Sequence, residues 1–169
     1  MDESLPASVV LTRCDDYTAA NLVSALDRQI SLLGGLQRFV SRGDRVLLKP
    51  NFIAPKPAER AVQTHPALLL EMARRVLDLG GRPVVGDSPA WGTIYSCAEA
   101  LELTGPLQKL GVPLQPLDQP RKVYLEKSRV HVGLSRYALE ADKIINLPKF
   151  KTHQQLTATF AVKNMFGCV

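Results

Sequence analysis

Residues 45–51 read Arg-Val-Leu-Leu-Lys-Pro-Asn, and this stretch decides the fold. Val46, Leu47 and Leu48 make an unbroken apolar centre, where a strand with one wet face would alternate, so the strand is expected to be covered on both faces. Pro50 has no N–H to give to a ladder and ends the pairing. Residues 143–147, Lys-Ile-Ile-Asn-Leu, repeat the pattern and are again closed by a proline, Pro148.

Outward from these two strands the chain alternates. Residues 8–13, SVVLTR, read as a short strand, followed by a helix over 17–33 with Leu22, Leu26, Ile30 and Leu33 on one stripe behind the capping candidates Asp15 and Asp16. Residues 51–63 hold prolines at 55 and 57 and form a loop long enough to be functional. Thr64 is placed to cap a helix with Pro66 in its first turn, and Leu69, Met72, Ala73, Val76 and Leu77 keep helical spacing up to Gly80-Gly81. A third strand at 83–85 runs into Gly86-Asp87-Ser88-Pro89, a helix covers about 93–103 until Gly105-Pro106 breaks it, and a weaker strand lies at 112–116. Residues 121–134 alternate with period two in two pieces around Lys127-Ser128, the pattern of an edge hairpin. Residues 156–166 read as a last helix with Gly167 as its stop. The fold class expected is therefore α/β: a mostly parallel sheet in three layers, with helices on both faces and a small hairpin insertion near 121–134.

The 169 residues, 46% of them hydrophobic, suffice for one buried core, so one α/β domain over 1–169 is expected. No stretch approaches the roughly 20 apolar residues that a membrane span needs, and the N-terminus lacks the features of a secretion signal. No membrane association and a cytoplasmic location are expected. Cys14, Cys97 and Cys168 are odd in number and far apart, unlike a disulfide framework or a metal knuckle. The net charge of +5 and a pI near 9.3 favour anionic partners.

Parallel sheets bind ligands beyond the carboxyl ends of their strands, and three such ends carry polar residues that a turn does not need. These are Lys49-Pro-Asn51, Gly86-Asp87-Ser88, and Lys149-Phe-Lys151-Thr-His153. In an extended backbone Lys149, Lys151 and His153 share one side, a concentration of charge that an anion would relieve. A solvated, well-screened charged turn explains the same residues without function. Asp87 and His153 are the candidate proton-transfer groups. Lys49, Asn51, His65, Ser88, Lys149, Lys151, Lys163 and Asn164 are the candidate ligand contacts, although Lys163 also sits where a helix dipole favours a cation and Asp87-Ser88 also suits an ordinary turn. Trp91 is placed to stack on a ring or to pack over the mouth of the pocket. No metal-ligand set is seen, and neither GxGxxG nor GxxxxGK(S/T) occurs, which disfavours a standard dinucleotide or P-loop site.

The motifs VLLKPN at 46–51, THP at 64–66, GDSP at 86–89, and ADKIINLPKFKTH running into LTATFAVKNMFG at 141–167 resemble those of the domain of unknown function 362 family, over most of the chain from about residue 8. The resemblance implies an α/β fold and, in some relatives, ferredoxin-type iron–sulfur motifs. Those motifs are absent here, so no iron–sulfur cluster is expected and the cofactor is left unknown. Family chains are usually longer, which implies that residues 1–169 are the N-terminal part of such a chain. The function expected is a small-molecule enzyme or enzyme domain gripping a phosphate- or carboxylate-bearing ligand at the strand ends. The alternative is a binding module for nucleic acid or a redox partner. Nucleic acid is placed second because only Phe150 interleaves with the key lysines. The oligomeric state is left open.

Overall fold

The computed structural model describes residues 8–153 and 157–169. Its centre is a four-stranded parallel sheet of order β3-β2-β1-β6, built from β1 (Arg45–Pro50), β2 (Arg82–Asp87), β3 (Leu114–Pro116) and β6 (Lys143–Leu147). β1 pairs with both β2 and β6, Leu48 lying opposite Val85 on one side and Ile145 on the other. This flanked position explains its unbroken apolar centre.

Helices cover both faces, as expected. Val46 and Leu48 point into the larger core, where α1 (Ala19–Leu32) supplies Leu22 and Leu26 and α2 (Pro66–Asp78) supplies Leu69, Met72, Ala73 and Val76. Ile94, Cys97 and Ala98 of α3 (Ile94–Ala100) and Leu107 of α4 (Thr104–Lys109) complete it. Leu47, on the opposite side of the pleat, meets Leu117 and Cys168 in a smaller core, joined by Tyr137 and Ala138 of α5 (Arg136–Glu140) and by Met165. The hairpin β4 (Pro120–Leu125) and β5 (Val130–Ser135) forms its own antiparallel sheet. A second one joins β7 (Lys151–His153) to β8 (Thr157–Thr159), and α6 (Ala161–Asn164) follows.

Four local expectations are corrected. Residues 8–13 form no strand: Val9 and Leu11 are 84% and 92% exposed, because β-branched residues favour a strand only where a partner and a covered face exist. The helix-capping side chain is not Thr64 but His65, whose Nδ1 accepts from the backbone N–H of Ala67, leaving the Thr64 hydroxyl for another task. Gly105-Pro106 does not end the helical region. Both lie in the first turn of α4, where a missing proline N–H costs nothing because it would have no partner. The helix expected over 156–166 is, in its described part, β8 followed by α6 and a 3-10 turn over Met165–Cys168, since Thr157 and Thr159 pair with β7. In addition, α1 opens at Thr18, whose N–H and hydroxyl both donate to Asp16 Oδ1, so Asp16 braces the helix start from outside.

Candidate functional site

β1 leads to β2 on one side of the sheet, whereas β6 lies on the other side of β1, so the strand order switches direction between β1 and β6. A crevice is expected beyond the strand ends at such a point. An open cleft of about 1540 Å³ lies there, lined by residues that follow β1, β2 and β6.

Its floor is an ion pair. Lys49, near the end of β1, and Asp87, at the end of β2, are 1% and 2% exposed, and Lys49 Nζ lies 2.6 Å from Asp87 Oδ1. The ammonium also donates to the carbonyl of Pro50 at 2.8 Å. Asp87 accepts from the N–H of Ser88 at Oδ1 (2.8 Å) and from that of Phe52 at Oδ2 (2.7 Å), so it fastens the loop after β1 to the end of β2. Burial raises the Asp87 carboxyl above its usual range, and Lys49 and these hydrogen bonds pull it part of the way back. Gly167 closes over the pair: a Cβ there would fall 2.5 Å from Asp87 Oδ1 and 2.9 Å from Lys49 Nζ, so only glycine lets the backbone lie so close.

Asn164, itself buried, ties the strand ends together. Its Nδ2 lies 2.7 Å from Asn146 Oδ1 and within 3.1 and 3.3 Å of the Pro50 and Lys49 carbonyls, and its Oδ1 accepts from Asn51 Nδ2 at 2.9 Å. Asn51 in turn gives its N–H to the Thr64 hydroxyl, which donates to the carbonyl of Leu147 at the end of β6. Among the described residues, Asn51 Oδ1 is a buried acceptor left without a partner.

Lys151 and Lys163 stand on the cleft wall with Lys56 and Arg60. Lys151 Nζ, part-buried, donates to the carbonyl of Val62 at 2.6 Å. Burial, together with the positive charges of Lys163 and Lys149, lowers the Lys151 ammonium to about 8, with Asp87 opposing the shift. Trp91, 67% exposed, stands at the mouth, its N–H bonded to the carbonyl of Ile53.

Lys49, Asn51, Asp87, Ser88, Lys151, Lys163 and Asn164 therefore meet around one cleft. His65 and Lys149 do not line it. The Tyr17 ring stacks on the His65 imidazole at 3.8 Å and 5°, with Lys149 Nζ 5.9 Å from the Tyr17 centroid. Burial first, then Lys149, lowers the His65 pKa. The backbone of His153 belongs to β7, but its side chain lies outside the described residues. Val62, Thr64, Asn146 and Gly167 were not singled out by sequence as site residues, Thr64 being read only as a helix cap and Gly167 only as a helix stop. Only Gly167 carried a signal, as a glycine just after the Lys163-Asn164 pair. Cys97 and Cys168 are buried, and burial raises both thiols, Cys97 to about 11. Among the described residues no three His, Cys, Asp or Glu gather to hold a metal ion, and no helix is long and apolar enough to cross a membrane.

Comparison with known proteins gives two findings. Residues 46–169 match the family described as Domain of unknown function (DUF362). Over 162 residues the chain is 42% identical to the thylakoid-associated protein sll1697 of Synechocystis sp. strain PCC 6803, covering 96% of this chain and 50% of that protein. The chain thus spans about half the length of this curated relative. No solved structure matches at a significant level.

Proposed function

The chain belongs to that family of unknown function, and from this premise we propose that the cleft is the ligand site of a small-molecule enzyme or enzyme domain acting on a phosphate- or carboxylate-bearing compound. The observation that carries the reading is the convergence of Lys151, Lys163 and the buried Lys49–Asp87 pair on one concavity at the ends of parallel strands. The buried pair is electrically compensated, so the field in the cleft comes from the lysines of its wall. Lys151 and Lys163 grip the anion, Ser88 and Asn51 offer hydrogen bonds, and Asp87 holds Lys49 and the two strand ends in place. A concave cleft at the strand ends supports a small ligand over a nucleic-acid strand, whose phosphates call for an extended basic face. A cytoplasmic location accords with the free-cysteine pattern, while the relative's name, thylakoid-associated protein, points to one membrane system near which to look.

Calorimetric titration with inorganic phosphate and with a panel of small carboxylates tests this reading. The expected result is saturable binding that weakens at least tenfold in Lys151→Ala and Lys163→Ala variants whose far-UV circular dichroism is unchanged. Equal binding by the folded variants refutes it.

A further inference from the structure

Two lysines of the cleft are withdrawn from water, Lys49 fully and Lys151 in part, and they are treated oppositely. Lys49 is neutralised by Asp87 at 2.6 Å. Lys151, half-buried, has among the described residues no carboxylate within ion-pair distance; its Nζ donates to the neutral carbonyl of Val62, and its charged neighbours include Lys163 and Lys149. The repulsion on a lysine desolvated beside a second lysine is relieved by a bound anion, and it is relieved equally when the lysine gives up its own proton. A lysine that must act as a neutral amine gains directly, because both effects disfavour the ammonium form. The carbonyl of Val62 takes one N–H and holds the side chain at the cleft wall, and in the neutral amine the nitrogen lone pair is left for a ligand.

We propose that Lys151 is a nucleophilic amine that forms an imine with a carbonyl-bearing anion, a small 2-oxo acid being the class of ligand that fits. This rests on the anion-site reading above and narrows it. The neutral amine adds to the carbonyl carbon, whose π electrons pass to the oxygen, and the proton shed by the attacking nitrogen ends on that oxygen to give a carbinolamine. Loss of that oxygen as water, using a proton from solvent, leaves the protonated imine, so that amine, carbonyl and one proton become iminium and water. The ligand carboxylate lies against Lys163. An ammonium pKa near 8 in place of 10.5 raises the neutral fraction at pH 7.5 by a factor on the order of 100.

The test is incubation of the chain with pyruvate and cyanoborohydride, which reduces the imine to a stable secondary amine, followed by peptide mapping. The expected result is one adduct on Lys151, at least tenfold above any other lysine, absent from a folded Lys151→Arg variant. Its rate should level off as pH passes about 8, where exposed lysines still accelerate. Labelling spread over exposed lysines, or undiminished in Lys151→Arg, overturns the proposal. Lactate, the same anion without the carbonyl, separates the two readings. Lactate binding that weakens in Lys163→Ala, with no trapped imine, sinks the imine and leaves the anion site standing, whereas absence of both sinks both.

Discussion

The buried ion pair yields the sharpest prediction, because its two halves are not equivalent. Asp87→Ala strands the Lys49 ammonium, 1% exposed, without its carboxylate, which costs about 3–5 kcal/mol. It also leaves the N–H groups of Phe52 and Ser88 without an acceptor, each worth roughly 1–3 kcal/mol if water does not reach them. Allowing for non-additivity, a loss of about 5 kcal/mol is expected, a large share of the roughly 5–15 kcal/mol by which a domain is stable. Lys49→Met is milder, because the stranded group is a carboxyl whose pKa is already raised and which escapes its charge by taking up a proton. A raised folded-state pKa means that stability is fully present below the ordinary value of 3.8 and is lost as pH climbs through the folded value. The Lys49→Met variant should therefore be most stable at the acid end of a series from pH 4 to 8, and the double variant Lys49→Met/Asp87→Ala should be more stable than Asp87→Ala alone. Urea unfolding followed by circular dichroism, with the slopes compared, measures all three. If Asp87→Ala lies within about 1 kcal/mol of the wild type, or if the double variant loses the sum of the single losses, the pair is not buried and coupled in the way described.

Three further outcomes follow from the site. Gly167→Ala would force a Cβ against the Asp87 carboxylate and the Lys49 ammonium, both held from several sides; a loss of about 1–3 kcal/mol in urea unfolding is expected, with anion affinity reduced in parallel. His65, with its pKa lowered, contributes stability that is present above its ordinary value of 6.5 and is lost as pH falls through the lower folded value; His65→Asn retains a capping oxygen and should unfold with a weaker dependence on pH below 6.5. Lys151, lowered to about 8, makes stability rise with pH between about 8 and 10.5, and thermal melts of Lys151→Met across that window should show a smaller rise than the wild type.

The elements legible in the sequence were those whose own side chains record their surroundings. The apolar run at Val46–Leu48 exists because β1 has a strand on either side and a core on either face, and the period-two alternation at 121–134 goes with the antiparallel pairing of β4 and β5. Elements decided by distant partners were not legible. Residues 8–13 have strand propensity but pair with no strand among the described residues, and Thr64 resembles a cap because nothing nearby reveals that Leu147, 83 residues away, needs its hydroxyl. The same division runs through the site. Chemistry at three strand ends marked Lys49, Asp87 and Lys151, and strand-end position brought them to one cleft. Two-residue spacing also grouped Lys149 with Lys151, yet Lys149 turns toward the Tyr17 ring, because the chain is not yet in β7 at that residue and the strict alternation does not apply. That Lys49 is sealed rather than presented to solvent depended on Gly167, which lies 118 positions further along the chain.

The bonds from Asn164 to β1 span 115 residues. Closing a loop of that length costs about 2 kcal/mol more chain entropy than closing the 13-residue loop from Asn51 to Thr64. The pocket is therefore a late event in the folding of this chain: the central strands can associate while Lys49 and Asp87 still face water, and their charges are taken out of solvent only when the segment around Asn164 and Gly167 docks. During synthesis on the ribosome, the sheet can begin to order well before the binding surface exists.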